Sequence, residues 1–172
     1  MTLTRKITVP LLAGLLVAAL VGMSPGGDSA IAAPQARTGG KIMIAAASFI
    51  PTTDNWDYSN NGYSLATTGN SGNFTAPIPF PVPVVNIKKI ILYAYDNGAG
   101  SVCATVYRAS PPTGNELNLG AVCTTDQVAY PQDPSTSAIS PRRANTALVG
   151  PYLWVTVPEE AQFFGVSVLY SY

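Results

Sequence analysis

A short run of oxygen-bearing side chains in a polar segment has the spacing of a metal site. Asp, Ser and Asn at alternate positions, followed by glycine, match the first half of a calcium-binding loop. These residues are Asp57, Ser59, Asn61 and Gly62. Position 68, where such a loop ends on a bidentate glutamate, is threonine, so Asp54 would have to complete an irregular site. The alternative is an ordinary turn, in which Asn and Asp are common without any metal.

Three aromatic residues interrupt the same polar segment, namely Trp56, Tyr58 and Tyr63. Exposed aromatic rings beside Asn and Asp can form a platform that packs against a sugar ring or a partner protein. The alternative is that Trp56 fills one end of the hydrophobic core. The segment is therefore a candidate ligand-binding site with two interpretations.

Histidine is absent from all 172 residues. Its absence excludes catalytic triads that use His, most zinc sites and His general bases. Catalysis by two carboxylates would remain, but nearly all acidic residues beyond the N-terminal region stand in turn-like contexts, where they are expected without a function. They are Asp54, Asp57, Asp96, Glu116, Asp126, Asp133, Glu159 and Glu160. The sequence predicts that the protein is not an enzyme, and a carboxylate-dependent hydrolase is the remote alternative.

Two further short motifs carry chemistry. Asn73-Phe74-Thr75 is an N-glycosylation sequon, which matters only in a host that modifies it. Arg142-Arg143 could contact an anion or be a protease site, and the alternative is a solvated loop.

The N-terminus has the organisation of a secretory signal peptide over residues 1–32. Arg5 and Lys6 form a positive region, an apolar run follows, and Ala30-Ile31-Ala32 is a small-x-small cleavage site. The run is short for a membrane span. We expect cleavage, secretion to the extracellular space and no membrane span in the mature protein. A retained N-terminal anchor is the alternative.

Cleavage after Ala32 leaves about 140 of the 172 residues, the usual size of one domain. Residues 33–40 are mostly small and polar, which predicts a flexible leader ahead of a domain at 41–172. The formal net charge is zero and only 10% of residues are charged. No basic surface is expected for nucleic acid, and the low charge suits a protein surface covered by copies of itself.

The two cysteines are predicted to form a disulfide, as is usual in an exported chain. If Val102–Arg108 pairs antiparallel with Leu117–Thr125 around a turn centred near Thr113, Cys103 lies directly opposite Cys123. Directly opposed residues have Cβ atoms about 5 Å apart, which is close to disulfide range.

The clearest strand signal is the pair of β-rich runs Val85–Asp96 and Val102–Arg108. The turn residues Asp96-Asn97-Gly98-Ala99-Gly100 separate them, which predicts a central β-hairpin. Further strand patterns occupy residues 41–50, 63–67, 117–125, 146–157 and 163–170. The Ala triplet within 41–50 leaves a helical alternative open there.

A proline stands at every second position in the segment Phe74–Val85. Proline cannot donate to a β-ladder, so the segment is expected to be extended or at a sheet edge, not a central strand. The alternating apolar residues Ile78, Phe80, Val82 and Val84 are expected to cover the core. A proline-rich ligand for another domain is the alternative.

About eight short strands, with turns every 8–14 residues and no helical periodicity after the signal peptide, predict an all-β fold. The architecture is a single antiparallel β-sandwich, jelly-roll-like. The Tyr95-Asp96 strand end, Val106-Tyr107-Arg108 and the C-terminal Phe164-Gly-Val-x-Val-x-Tyr170 form a pattern that resembles uncharacterised secreted bacterial β-sandwich proteins, over most of the mature chain. The architecture is also similar to jelly-roll binding and oligomerisation modules.

The sequence predicts a secreted protein that acts by binding or by self-assembly and needs no cofactor unless calcium binds. In the assembly hypothesis, the proline-rich edge and the C-terminal strand form a homo-oligomer interface. The alternative is a monomeric module or inhibitor that binds an extracellular glycan or protein through the Trp56–Tyr63 region.

Overall fold

A computed structural model describes residues 38–172, except residues 55, 56 and 126. The predicted signal peptide, most of the predicted leader, Trp56 and Asp126 therefore lie outside the described residues. Within the described part, no helix is long and apolar enough to cross a membrane.

The described residues form strands joined by turns, with one 3₁₀ turn at Ala46–Ser48. The strands are β1 (Gly39–Ala45), β2 (Ile50–Pro51), β3 (Tyr58–Asn60), β4 (Leu65–Thr67), β5 (Gly72–Pro77), β6 (Val84–Asp96), β7 (Cys103–Ser110), β8 (Asn115–Cys123), β9 (Val128–Gln132), β10 (Ser135–Thr136), β11 (Arg143–Asn145), β12 (Gly150–Val157) and β13 (Ala161–Ser171).

Two antiparallel sheets pack face to face, so the predicted β-sandwich is confirmed. In the eight-stranded sheet, β6 pairs with β13 on one side and with the short strands β9, β10 and β11 on the other, while β13 also pairs with β1 and β4, and β4 with β3. The five-stranded sheet has the order β2-β5-β12-β7-β8. There are more strands than the eight predicted, because several are two- or three-residue pieces.

The first strand differs from its predicted bounds. It begins at Gly39, so the last two residues of the predicted leader belong to β1, and it ends at Ala45. The last two residues of the Ala triplet and Ser48 form the 3₁₀ turn, which separates β1 from β2. This turn moves the chain from the eight-stranded sheet to the five-stranded one.

The predicted central hairpin is wrong. β6 lies in the eight-stranded sheet and β7 in the five-stranded sheet, so the turn between them is a crossover. The Asp96 side chain, which is fully buried, accepts hydrogen bonds from the backbone N–H groups of Gly98 and Val102 and from the Thr124 hydroxyl. A buried carboxylate needs such donors. The predicted turn residues do form a turn, but this turn takes the chain from one sheet to the other instead of closing a hairpin within one sheet.

The second hairpin is confirmed. β7 pairs with β8, and Cys103 lies directly opposite Cys123. The two cysteines form a disulfide. In the connecting turn, Gly114 has φ +66°, a left-handed conformation that glycine adopts without a steric penalty.

The proline-rich segment covers the core as predicted up to Val82, but Val84 is only half-buried and Val85 faces the core in its place. Its first part, residues 74–77, belongs to β5, which lies between β2 and β12, so the expectation that no part of the segment is an inner strand is wrong. The chain then leaves the sheet until β6 begins at Val84. Ile78 is buried, and Phe80 and Val82 pack against the core. The Phe80 ring contacts the Tyr170 ring edge-on at 5.2 Å between centroids.

We expect the disulfide to stabilise the fold by restricting the unfolded chain. Cys103 and Cys123 are separated by 20 residues, and closing a loop of that length is worth about 3 kcal/mol. The double variant Cys103→Ala/Cys123→Ala should lose about that much free energy of unfolding, measured by urea denaturation. Wild-type protein in a thiol reductant should match the variant. An unchanged unfolding midpoint in both would contradict this role.

Candidate functional site

Strand β12 presents two different faces. Leu153, Val155 and Val157 are fully buried between the sheets. Because side chains alternate along a strand, the intervening Tyr152 and Trp154 lie on the outer face of the five-stranded sheet, where both are half-exposed. Burial of one face of β12 therefore fixes the aromatic side chains of its other face on the surface.

Strand β7 follows the same alternation beside β12. Val106 is buried and Tyr107 is half-exposed. Tyr107 pairs directly with Tyr152, so the two tyrosines are cross-strand neighbours on the outer face. We call Tyr107, Tyr152 and Trp154 the aromatic platform.

The rings of the platform are packed together. The Tyr107 and Tyr152 rings are stacked, with centroids 5.5 Å apart and an interplanar angle of 18°. The Tyr107 and Trp154 rings meet at 68° with centroids 6.5 Å apart. Aromatic pairs in such geometries stabilise each other beyond their buried area, so the platform is a preformed surface.

Hydrogen bonds hold the Trp154 indole in place. Its Nε1 donates to Asn73 Oδ1 at 3.3 Å, and the Thr156 hydroxyl donates to the same oxygen at 2.8 Å. Asn73 is the acceptor residue of the predicted glycosylation sequon. The structure places it beside the platform in β5, so its side chain also orients the indole.

The Tyr152 hydroxyl donates to Glu116 Oε1 at 2.9 Å. Partial burial raises the pKa of Tyr152 well above its usual range, and the hydrogen bond to Glu116 raises that pKa further. The phenol therefore stays protonated and keeps donating to the carboxylate throughout the neutral range. This bond ties the platform to the start of β8.

A depression of about 240 Å³ lies along the platform. Its walls include Tyr152 and Trp154 with Ile50, Thr75, Pro77 and Glu116. Ile50 is 65% exposed. The depression is smaller than the clefts of about 300–1,000 Å³ that enclose small molecules, so it fits one face of a ligand that lies along the surface.

The aromatic residues predicted from the sequence lie elsewhere. Tyr58, in β3, is 42% exposed and packs edge-on against Phe74, with centroids 5.3 Å apart. Tyr63 is 72% exposed between β3 and β4. Trp56 lies outside the described residues, so a binding role for the Trp56–Tyr63 region stays a prediction.

The predicted calcium ligands Asp57, Ser59 and Asn61 lie before, within and after the short strand β3. Ser59 is in the middle of β3, and alternate residues of a strand are spaced by about 6–7 Å instead of wrapping around an ion. The Asn61 side-chain oxygen accepts from the backbone N–H groups of Tyr63 and Ser64. Asp54 and Asp57 are exposed. Across the described residues, no three His, Cys, Asp or Glu side chains are grouped to hold a metal. Calcium binding stays a prediction.

Besides Glu116, two acidic residues of the described part have structural partners. Asp96 is the buried carboxylate of the crossover, and Glu159 accepts a hydrogen bond from the Gly69 N–H through its Oε1 at 3.1 Å. Glu159 and Glu160 also line an open polar cavity of about 460 Å³. Of the acidic residues in the described part, Glu116 is the one that lies beside the platform.

The platform was not predicted as a site, although its signal is visible in the sequence. Tyr152 and Trp154 alternate with large apolar residues in one predicted strand, and Tyr107 takes the same kind of position in another. What the pattern lacks is the information that these two strands are neighbours. The pairing of β12 with β7 supplies it.

Comparison with protein-family models gives no match, and comparison with curated proteins gives none. A solved structure of the CBM22-1–GH10 modules of the Clostridium thermocellum endo-1,4-β-D-xylanase 10B aligns with a TM-score of 0.50 and 12% identity, over 78% of this chain and 28% of that chain. The C-terminal CBM6 of the Zobellia galactanivorans enzyme LamC aligns with a TM-score of 0.45 and 14% identity, over 75% of this chain and 98% of that chain.

A third structure, the xylan-binding module CBM15, aligns with a TM-score of 0.45 and 10% identity, over 76% of this chain and 96% of that chain. The chain has a β-sandwich fold similar to that of carbohydrate-binding modules. At these identities the likeness concerns the fold alone.

The raised pKa of Tyr152 predicts a loss of stability at alkaline pH. A phenol whose pKa is higher in the folded than in the unfolded state stabilises the fold fully below its unfolded pKa of about 10, and this contribution is lost as the pH rises above that value. Tyr152→Phe should therefore lose stability less steeply above pH ~10, measured by thermal unfolding. Tyr130→Phe, at a phenol that is 66% exposed, is the control. Equal slopes in all three proteins would contradict the assignment.

Proposed function

We propose that this protein is a secreted, non-catalytic glycan-binding module and that the aromatic platform is its binding surface. The observation that carries the proposal is the set of three half-exposed aromatic rings on the outer face of the five-stranded sheet. Their positions are fixed by strand pairing and by hydrogen bonds to Asn73 and Glu116.

The chemistry of a sugar ring matches this surface. A pyranose has an apolar C–H face, which packs on an aromatic ring, and hydroxyl groups at its edge, which need hydrogen-bond partners. Tyr and Trp offer an apolar body with a polar tip, and they dominate binding energy at protein surfaces. Since the rings are already packed together, little ordering cost remains for binding.

Polar side chains surround the platform. Thr75 and Thr105 pair with Trp154 from the two neighbouring strands, and Asn118 pairs with Tyr107. Glu116 lies at the rim of the depression. Hydroxyl, amide and carboxylate groups can together donate to and accept from sugar hydroxyls.

The fold and the expected extracellular location support the same proposal. The Clostridium thermocellum structure, 28% of which aligns with this chain, contains a CBM22-1 and a GH10 module and is complexed with xylohexaose, so xylo-oligosaccharides are the first ligands to test. This support is a fold-level analogy. The Cys103–Cys123 disulfide fits an oxidising, extracellular environment, as does the signal-peptide pattern of residues 1–32.

Self-assembly through the proline-rich edge and the C-terminal strand receives less support. Ile78, Phe80 and Val82 are used within the chain's own core. The C-terminal strand β13 is an inner strand, with β6 on one side and β1 on the other, so its backbone groups are already paired. The surfaces expected to form an oligomer interface are therefore occupied within one chain.

We expect Trp154→Ala to weaken glycan binding by about tenfold or more, because loss of a central aromatic contact commonly costs at least ~1.4 kcal/mol. Binding is measured by isothermal titration calorimetry with xylohexaose and by affinity electrophoresis in gels containing xylan, β-glucan or laminarin. Tyr107→Ala is the second variant, in case Trp154→Ala lowers the melting temperature too far.

Tyr130→Ala is the matched control, since this 66% exposed tyrosine lies in β9 of the other sheet and should bind like wild type. Tyr63→Ala tests the competing loop site. A loss of binding in Tyr63→Ala with no effect of Trp154→Ala or Tyr107→Ala would move the site to the loop. The absence of wild-type binding to every glycan would contradict the proposal.

A further inference from the structure

A second depression, of about 450 Å³, opens at the end of the five-stranded sheet where β7 ends. Its lining contains two arginines, Arg108 and Arg143, together with Asn145 and Leu148. We call this depression the guanidinium cleft. Arg108 belongs to β7 and Arg143 to β11, so each sheet of the sandwich contributes one arginine.

The guanidinium cleft concentrates positive charge on a chain that has little. The whole sequence has nine Lys and Arg residues and a formal net charge of zero, yet two arginines line this one cavity and no carboxylate does. Within the part of the chain that the structure describes, neither Arg108 nor Arg143 has a carboxylate partner. The adjacent Arg142 donates instead to the Ser137 carbonyl at 3.2 Å.

Shared lining residues connect the guanidinium cleft to the aromatic platform around the end of β7. A third depression, of about 430 Å³, is lined by both Arg108 and Glu116. Arg108 is shared with the guanidinium cleft, and Glu116 is shared with the depression along Tyr152 and Trp154. Glu116 and Arg108 therefore link the three depressions, and we call this linked surface the track: it begins at the aromatic rings on the outer face of the sheet, passes the end of β7 and ends at two guanidinium groups.

The sign of the charge changes along the track, from a carboxylate in its middle to guanidinium groups at its end. Glu116 lies in its middle and accepts the hydrogen bond of Tyr152, so its carboxylate disfavours an anion there. The guanidinium cleft beyond it favours one, because a guanidinium can bind a carboxylate or a sulfate oxygen pair through two parallel hydrogen bonds. The track therefore fits a ligand that is neutral at one end and anionic at the other.

We propose that the ligand is an acidic polysaccharide, with neutral sugar rings on the aromatic platform and an anionic substituent in the guanidinium cleft. The substituent is a uronic-acid carboxylate or a sulfate ester, which share the oxygen geometry that guanidinium recognises. This inference rests on the glycan-binding function proposed above and adds the substrate class.

The probes are glucuronoxylan and the same polymer after chemical reduction of its carboxyl groups. Wild-type protein should bind the native polymer about 3- to 10-fold more tightly than the reduced one, the range expected for one or two partly exposed charge-assisted pairs. The preference should shrink as ionic strength rises. A third probe, the reduced polymer after chemical sulfation, distinguishes sulfate from carboxylate recognition by which anionic polymer binds more tightly.

Arg108→Gln and Arg143→Gln should each lose most of the preference and keep the affinity for the reduced polymer. Lys88→Gln, which removes one positive charge from an exposed position in β6, is the matched control and should keep the preference. Arg143 is exposed, so its substitution tests the inference even if Arg108→Gln unfolds the protein.

Equal affinity for the native, reduced and sulfated polymers would overturn the inference, and so would a preference that survives both arginine substitutions. Either result, with binding that still depends on Trp154, would leave the glycan-binding proposal intact. No binding to any of the three polymers, nor to the neutral glycans tested above, would overturn both proposals.

Discussion

The position of the aromatic platform depends on the pairing of β12 with a neighbouring strand on each side. β12 lies between β5 and β7 and is paired with both along nearly its whole length. Leu153, Val155 and Val157 fill the core, and a shift of one residue would exchange them with Tyr152 and Trp154. Because that exchange would expose the core residues, burial of one face fixes the aromatic rings on the other.

The chain crosses from the eight-stranded sheet to the five-stranded sheet between β6 and β7. Further interactions therefore have to fix where β7 begins, so that it can pair with β12. The buried Asp96 carboxylate accepts from the Val102 N–H at the start of that strand and from the Thr124 hydroxyl just after β8. The disulfide between Cys103 and Cys123 joins the same two strands one residue further along. Together these interactions hold the strand that carries Tyr107.

Local sequence patterns predict most of the strands. The sheet to which a strand belongs and the strands beside it depend on pairing between residues that are distant in sequence. Alternation identifies the strands, and a hairpin centred near Thr113 predicts both the register of β7 against β8 and the disulfide between Cys103 and Cys123. The Asp96–Gly100 turn was misassigned to a hairpin, because turn residues do not reveal whether the chain returns within one sheet or crosses to the other. The sequence predicts a candidate site around Trp56, Tyr58 and Tyr63, where aromatic residues are close in sequence. Tyr107 and Tyr152 are distant in sequence and become neighbours only through pairing.

The most direct test of the central claim is nuclear magnetic resonance of the indole N–H signals during titration with xylohexaose or the tightest-binding glycan. The chain has two tryptophans, and Trp154→Phe assigns their signals. The account predicts that the Trp154 indole shifts with the ligand, together with the backbone amides of Thr105 and Tyr107. Shifts confined to the Trp56 indole and the amides around Tyr63 would contradict the account and place the site in the loop.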